Sequence, residues 1–217
     1  MCRYHTNMVE IKVNFLNKGM LLLTSAGFFN PKVADMAIGV LGNTINKKVA
    51  IVTTAAGGKE TNVYSKLAKE QLDKMGFQDV DFVDLEVQGA NHFSGYDVIY
   101  VCGGNTFKLL KFARETDFKS AILKVLNRGG LYIGVSAGSL IVGPSVQIAN
   151  EISADRNDVG VSDFTGMGIV DKILFPHYES KYEMEIKNFE LKNNVTVTRL
   201  TNNQAVMIIG QEANLIE

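Results

Sequence analysis

Five residues near the middle of the chain, Gly134-Val135-Ser136-Ala137-Gly138, have the composition of a nucleophile's turn. They match the pattern G-x-S-x-G, in which a serine occupies a tight strand-to-helix turn that lifts its hydroxyl clear of a sheet. The context fits, because the apolar run 131–135 leads into the serine and a helix-like run starts directly after it. Glycine is needed on both sides, since a side chain there would collide with the neighbouring strand or helix. A serine held in this way attacks carbonyl groups, and the N–H of Ala137 is placed to stabilise the resulting oxyanion. The same five residues also describe an ordinary glycine-rich strand end. Their partners decide between the two.

A serine nucleophile needs a base, and the chain has three histidines. His5 lies in the first few residues. His92, within Gly89-Ala90-Asn91-His92-Phe93, enters a strand and so falls at its N-terminal end. His177, within Pro176-His177-Tyr178, directly follows the apolar run Ile173-Leu174-Phe175, at the strand end where Ser136 also falls. His177 is therefore the expected base. A third group should orient its imidazole. The acids between serine and histidine are Glu151, Asp155, Asp158, Asp163 and Asp171, and spacing alone does not choose among them. Gly103-Gly104-Asn105-Thr106 closes another apolar run. Two glycines there let the backbone approach a substrate, with the N–H of Gly104 as a second oxyanion donor beside Ala137. The loop has neither the lysine of a P-loop nor the third glycine of a dinucleotide fingerprint. Asn105 either orients this loop or caps the helix after it. Asn105, Thr106 and Tyr178 are candidate substrate contacts.

The elements that must position these groups alternate along the chain. Strands are expected at 20–24, 48–54, 80–85, 96–101 and 131–135. Helices are expected at 31–41, 61–75, 106–114 and 118–127. In the helix over 61–75, Val63, Leu67, Leu72 and Met75 are expected to face inward. This alternation implies a parallel sheet with right-handed crossovers, whose C-terminal strand ends gather the loops at 25–28, 55–58, 102–106 and 136–138. Beyond these, 150–163 reads as a polar surface loop, 173–175 as a strand and 181–191 as a helix. The runs 195–200 and 205–209 read as a closing antiparallel pair. Residues 19–217 form a single catalytic α/β domain in this reading. Residues 1–18 read as an N-terminal extension, with Met8 and Met20 each offering a later start, or as an edge strand built from the alternating 9–15 run.

Composition narrows the function classes. The chain has 217 residues, 46% hydrophobic and 21% charged, with a formal net charge of −1. That balance gives no electrostatic footprint for nucleic acid or an anionic membrane. Two cysteines, Cys2 and Cys102, form no disulfide framework and suit a reducing cytoplasm. No apolar run approaches the roughly 20 residues of a membrane span, and the first residues lack the apolar core of a secretory signal.

Taken together, Gly134-Val135-Ser136-Ala137-Gly138, Gly103-Gly104-Asn105-Thr106-Phe107 and Pro176-His177-Tyr178 resemble the peptidase E (α-aspartyl dipeptidase) family of serine peptidases, relatives of the cyanophycinases. The resemblance runs from about Met20 to the C-terminus. It implies a three-layer αβα sandwich with a mostly parallel sheet, flavodoxin-like or class I glutamine-amidotransferase-like. It implies Ser136 as nucleophile and His177 as base, while the lack of a clustered His/Cys/Asp ligand set in the sequence gives no reason to expect a metal or cofactor. Where that family has an aspartate in a Thr-Asn-Asp-like context, this chain has Ala149-Asn150-Glu151, so the resemblance makes Glu151 the third member. The activity implied is cleavage of dipeptides or small peptides, those with an N-terminal aspartate among them, by a monomer or homodimer. Aspartyl specificity requires a cation, and Ser145-Val146-Gln147-Ile148 before the acid carries none, leaving Arg156 and Lys181 as the candidates. An esterase or amidohydrolase would use the same site. A non-catalytic ligand-binding relative of the amidotransferase sandwich is the alternative from another class.

Overall fold

Continuous apolar runs become the interior strands of one sheet, and the amphipathic segments between them become its covering helices. The computed structural model describes residues 7–8, 10–13, 19–152 and 155–217. In chain order the elements are β1 (Asn7–Met8), β2 (Met20–Thr24), α1 (Pro31–Leu41), β3 (Lys48–Val52), α2 (Val63–Lys74), β4 (Asp79–Val83), β5 (Val98–Val101), α3 (Thr106–Glu115), α4 (Phe118–Asn127) and β6 (Leu131–Val135). They continue with α5 (Ala137–Leu140), α6 (Gln147–Glu151), β7 (Ile173–Phe175), α7 (Glu183–Asn193), β8 (Val197–Arg199), β9 (Ala205–Ile209) and β10 (Glu212–Ile216).

Eight strands form the main sheet in the order β1-β10-β9-β2-β6-β5-β3-β4. The five from β2 to β4 are mutually parallel, whereas β9 runs antiparallel to β2, and β10 and β1 continue antiparallel. Alternate strand residues point to opposite faces, which splits the core in two. Leu21, Leu23, Val52, Ile99 and Tyr132 pack under α3, α4 and α7. Leu22, Ile51, Tyr100, Ile133 and Met207 pack under α1 and α2. This is the mostly parallel, three-layer αβα sandwich expected. Chain order reverses direction at β3, where β4 lies on one side and β5 on the other, and a crevice opens at such a point beyond the strand ends.

Several elements differ from the sequence reading. Val63 and Leu67 do not face inward. They are 69% and 44% exposed, while Ser65, Ala68 and Leu72 form the buried stripe. The run near 197 does not pair antiparallel with β9. It pairs parallel with β7 in a separate two-stranded sheet, because a turn at 201–204, closed by Gln204 N–H on the Thr201 carbonyl, redirects the chain. The antiparallel partner of β9 is β10, a strand the sequence reading did not include. The loop expected over 150–163 starts later, because Asn150 and Glu151 are the last residues of α6, whose Ile148 and Ala149 are fully buried. Of the expected N-terminal extension, the described part packs on the domain. β1 is an edge strand beside β10, and Ile11 and Val13 are buried in the larger core cluster. Lys12 and Asp171 exchange backbone and side-chain hydrogen bonds that fasten the segment. His5 and Cys2 lie outside the described residues.

Candidate active site

Ser136 stands between β6 and α5 with φ 50° and ψ −108°, a conformation that costs a non-glycine residue of order 1–3 kcal/mol. The surroundings impose it. A Cβ on Gly134 would come within 2.7 Å of the Gly138 carbonyl, and one on Gly138 within 2.7 Å of the Val101 carbonyl, so neither position admits a side chain. The turn is then pinned from three directions. Ser136 N–H donates to the Thr24 carbonyl (3.0 Å), the buried Ser139 hydroxyl reaches the Thr24 and Gly134 carbonyls (both 2.8 Å), and the Tyr132 hydroxyl donates to the Gly138 carbonyl (2.7 Å).

His177 follows β7 in a left-handed conformation, φ 55°, and its Nε2 lies 3.0 Å from Ser136 Oγ. If Nε2 accepts the serine proton, Nδ1 carries the other. Nδ1 lies 2.7 Å from Oδ1 of Asn202, in the turn between β8 and β9. With Nδ1 protonated, the amide oxygen is the end of Asn202 that accepts from it, and the same oxygen accepts from the Ser25 hydroxyl (3.1 Å), which in turn accepts from His177 N–H (2.7 Å).

Glu151 is therefore not at the imidazole. It closes α6 and points to α7, where Lys192 Nζ contacts both its oxygens at 3.2 Å and Gln147 donates at 2.6 Å. Those partners, Gln147 first, hold its carboxyl below the usual glutamate range. The other acids are also engaged elsewhere. Asp155 accepts from Thr106 N–H (2.9 Å), Asp158 pairs with Arg156, Asp163 with Arg114 and Asp171 with Lys12. The signal for Asn202 was slight: an Asn-Asn pair in a turn before the last apolar runs, with Ser25 in a loop already expected at the site.

The remaining residues divide in two. Gly104 lines the cleft beside Ser136, with φ 137°, and a Cβ there would fall onto the Ala55 carbonyl. The N–H groups of Gly104 and Ala137 donate to no acceptor among the described residues, which leaves both available to an oxyanion. Asn105, Thr106 and Tyr178 are not cleft residues. Asn105 caps α3 through Lys108 N–H and donates to the Arg156 carbonyl, and Thr106 is buried. Tyr178 donates to Glu183 at 3.1 Å. His92 contacts Tyr96, away from the cleft.

A cleft of about 660 Å³ opens over Ser136, at the C-terminal ends of the parallel strands. Ser25 and Ala26, Ala56 and Gly57, and Gly103 and Gly104 enter it from three loops, as the alternation of elements implied. An αβα sandwich carrying a serine on a strained turn, with a histidine in hydrogen-bond reach, is the arrangement of a serine hydrolase.

Comparison with known proteins narrows the class. The model of peptidase family S51 matches residues 20–216, and the chain belongs to that family of serine-type peptidases. An uncharacterized peptidase of Listeria monocytogenes is 28% identical over 177 residues, 78% of this chain and 86% of the relative. Peptidase E of Haemophilus influenzae is 32% identical over 139 residues, 62% of this chain and 63% of the relative. Among solved structures, a Listeria monocytogenes protein provisionally assigned to peptidase E superposes with a TM-score of 0.77 at 26% identity, covering 92% of this chain and 98% of that one. No described helix is long and apolar enough to cross a membrane.

Proposed function

We propose that the chain hydrolyses dipeptides or small peptides through Ser136, His177 and Asn202. The observation that carries this reading is the 3.0 Å contact between His177 Nε2 and the hydroxyl of a serine held at positive φ. Ser136 Oγ attacks the scissile carbonyl carbon while Nε2 takes its proton. The charge on the carbonyl oxygen falls to the N–H groups of Ala137 and Gly104. The imidazolium, held through Nδ1–H by Asn202, gives its proton to the leaving amine, and an acyl-enzyme remains. A water activated by the same histidine releases the acid. An asparagine orients the ring in papain-like proteases too, and it supplies direction without charge. The buried, free thiol of Cys102 supports a reducing compartment such as the cytoplasm.

The test is Ser136→Ala with a dipeptide panel and a fluorophosphonate probe. Turnover should fall by about 10⁴-fold or more and labelling should vanish, with the melting temperature unchanged. Activity within about tenfold of the parent would exclude Ser136 as the nucleophile.

A further inference from the structure

The cleft over Ser136 is built without charge. None of its lining residues is a lysine, arginine, aspartate or glutamate, and His177 is already committed to the serine. Its outer walls carry exposed apolar side chains beside the neutral amides of Asn62 and Gln71. On one side Tyr64 and Leu67 of α2 stand 75% and 44% exposed, and on the other Phe29 stands 68% exposed. The floor is the Tyr100 ring and the Cys102 thiol, both buried. Burial pushes that thiol up to about 11, and its neighbour is the Ser65 hydroxyl at 3.7 Å, so the floor is neutral too.

Four candidate cations are engaged outside the cleft. Lys59 pairs with Asp84 and Glu86, and Lys108 with Glu86. Arg156 pairs with Asp158 and Lys181 with Glu179. A carboxylate entering the cleft would give up water and find no cation in return, which costs several kcal/mol for an unpaired charge. An apolar side chain would instead cover Phe29, Tyr64 and Leu67, each of which now exposes surface to solvent.

Resting on the peptidase reading above, we propose that the cleft selects an uncharged, apolar side chain beside the scissile bond, with Leu67, Tyr64 and Phe29 as its specificity-determining residues. This departs from the acidic side chain that the resemblance to α-aspartyl dipeptidases implied. It also accounts for an apolar stripe on α2 that faces neither core.

The experiment is a pair of dipeptide series, X–Ala and Ala–X, with X as Leu, Phe, Asp, Glu or Lys, read as kcat/KM. In the series that discriminates, Leu or Phe should exceed Asp and Glu by at least about tenfold. Leu67→Arg, at a position exposed enough to keep the fold, should narrow that ratio at least about fivefold. Gln71→Arg, one turn on along the same face of α2, serves as a second variant. Equal or faster cleavage of the Asp peptides, or a ratio untouched by both arginines, overturns the inference. Fluorophosphonate labelling separates the two levels. Ser136 that labels and cleaves Asp peptides best removes the specificity alone, whereas no label and no turnover of any peptide removes the peptidase reading with it.

Discussion

At the scale of the residue, a neutral amide stands where the resemblance implied a carboxylate. Asn202 Oδ1 lies 2.7 Å from His177 Nδ1 and accepts from the Ser25 hydroxyl, so the group beside the ring brings no countercharge. In the proposed mechanism, Asn202→Ala removes the orienting acceptor and should lower kcat/KM by about a hundredfold or more. A carboxylate hydrogen-bonded to an imidazole favours the imidazolium. Asn202→Asp should therefore keep activity and move the acid limb of the pH–rate profile to higher pH, which a merely structural role for Asn202 would not do. Glu151→Gln should stay within about threefold of the parent, because that carboxylate serves Lys192 and Gln147. A steep loss in Glu151→Gln with little change in Asn202→Ala would return the third position to the glutamate.

At the scale of the element, the turns bearing His177 and Asn202 are held by β7, β8 and α7. Parallel pairing of β7 with β8 is continued by Leu200 N–H on the Phe175 carbonyl (2.9 Å) and Tyr178 N–H on the Leu200 carbonyl (3.0 Å). Behind them Arg199 of β8 reaches Glu183 Oε2 at 2.9 Å and Glu190 Oε1 at 2.9 Å, both on α7. Glu183 also accepts from Tyr178, the residue after His177. The Arg199 guanidinium is the main cause holding both glutamates below their usual range. Lowered folded values mean that this stability is fully present above the unfolded glutamate value and is lost as pH falls through the folded one. Arg199→Met should lower the melting temperature at neutral pH. It should also flatten the fall in stability between about pH 6 and pH 3. An unchanged acid-side slope would show that the network does not hold these turns.

At the scale of the whole molecule, the sheet gathers residues from both ends of the chain. The segment before β2 places β1 beside β10 and adds Ile11 and Val13, 3% and 7% exposed, to the core around α3 to α7. Burying two such side chains stabilises by about 1.5–3 kcal/mol each, as an upper estimate. A chain beginning at Met20 should consequently melt at least about 5 °C lower than the full chain in scanning calorimetry. Equal melting temperatures would mean that the segment adds nothing to the domain.

What the sequence determined by itself is what short-range sterics and hydropathy encode. The continuous apolar runs became the parallel strands, and the Gly-x-Ser-x-Gly turn was legible as a pattern, with Gly134 demanded by the nearby Gly138 carbonyl, although what demands Gly138 is Val101 on the neighbouring strand. His177 was legible as a candidate because it directly follows a strand. Periodicity marked Leu67 as an inward position of α2 but could not tell a face turned to the core from one turned to a cleft, since both are apolar. Asn202 was beyond reach of any local rule, standing 25 positions after His177 in a turn whose residues suit many turns. The parallel pairing of β7 with β8 aligns the two turns, and the sandwich brings the Ser25 loop across to them. Contacts between segments so far apart depend on how strands are ordered in space, and only the tertiary structure decides that.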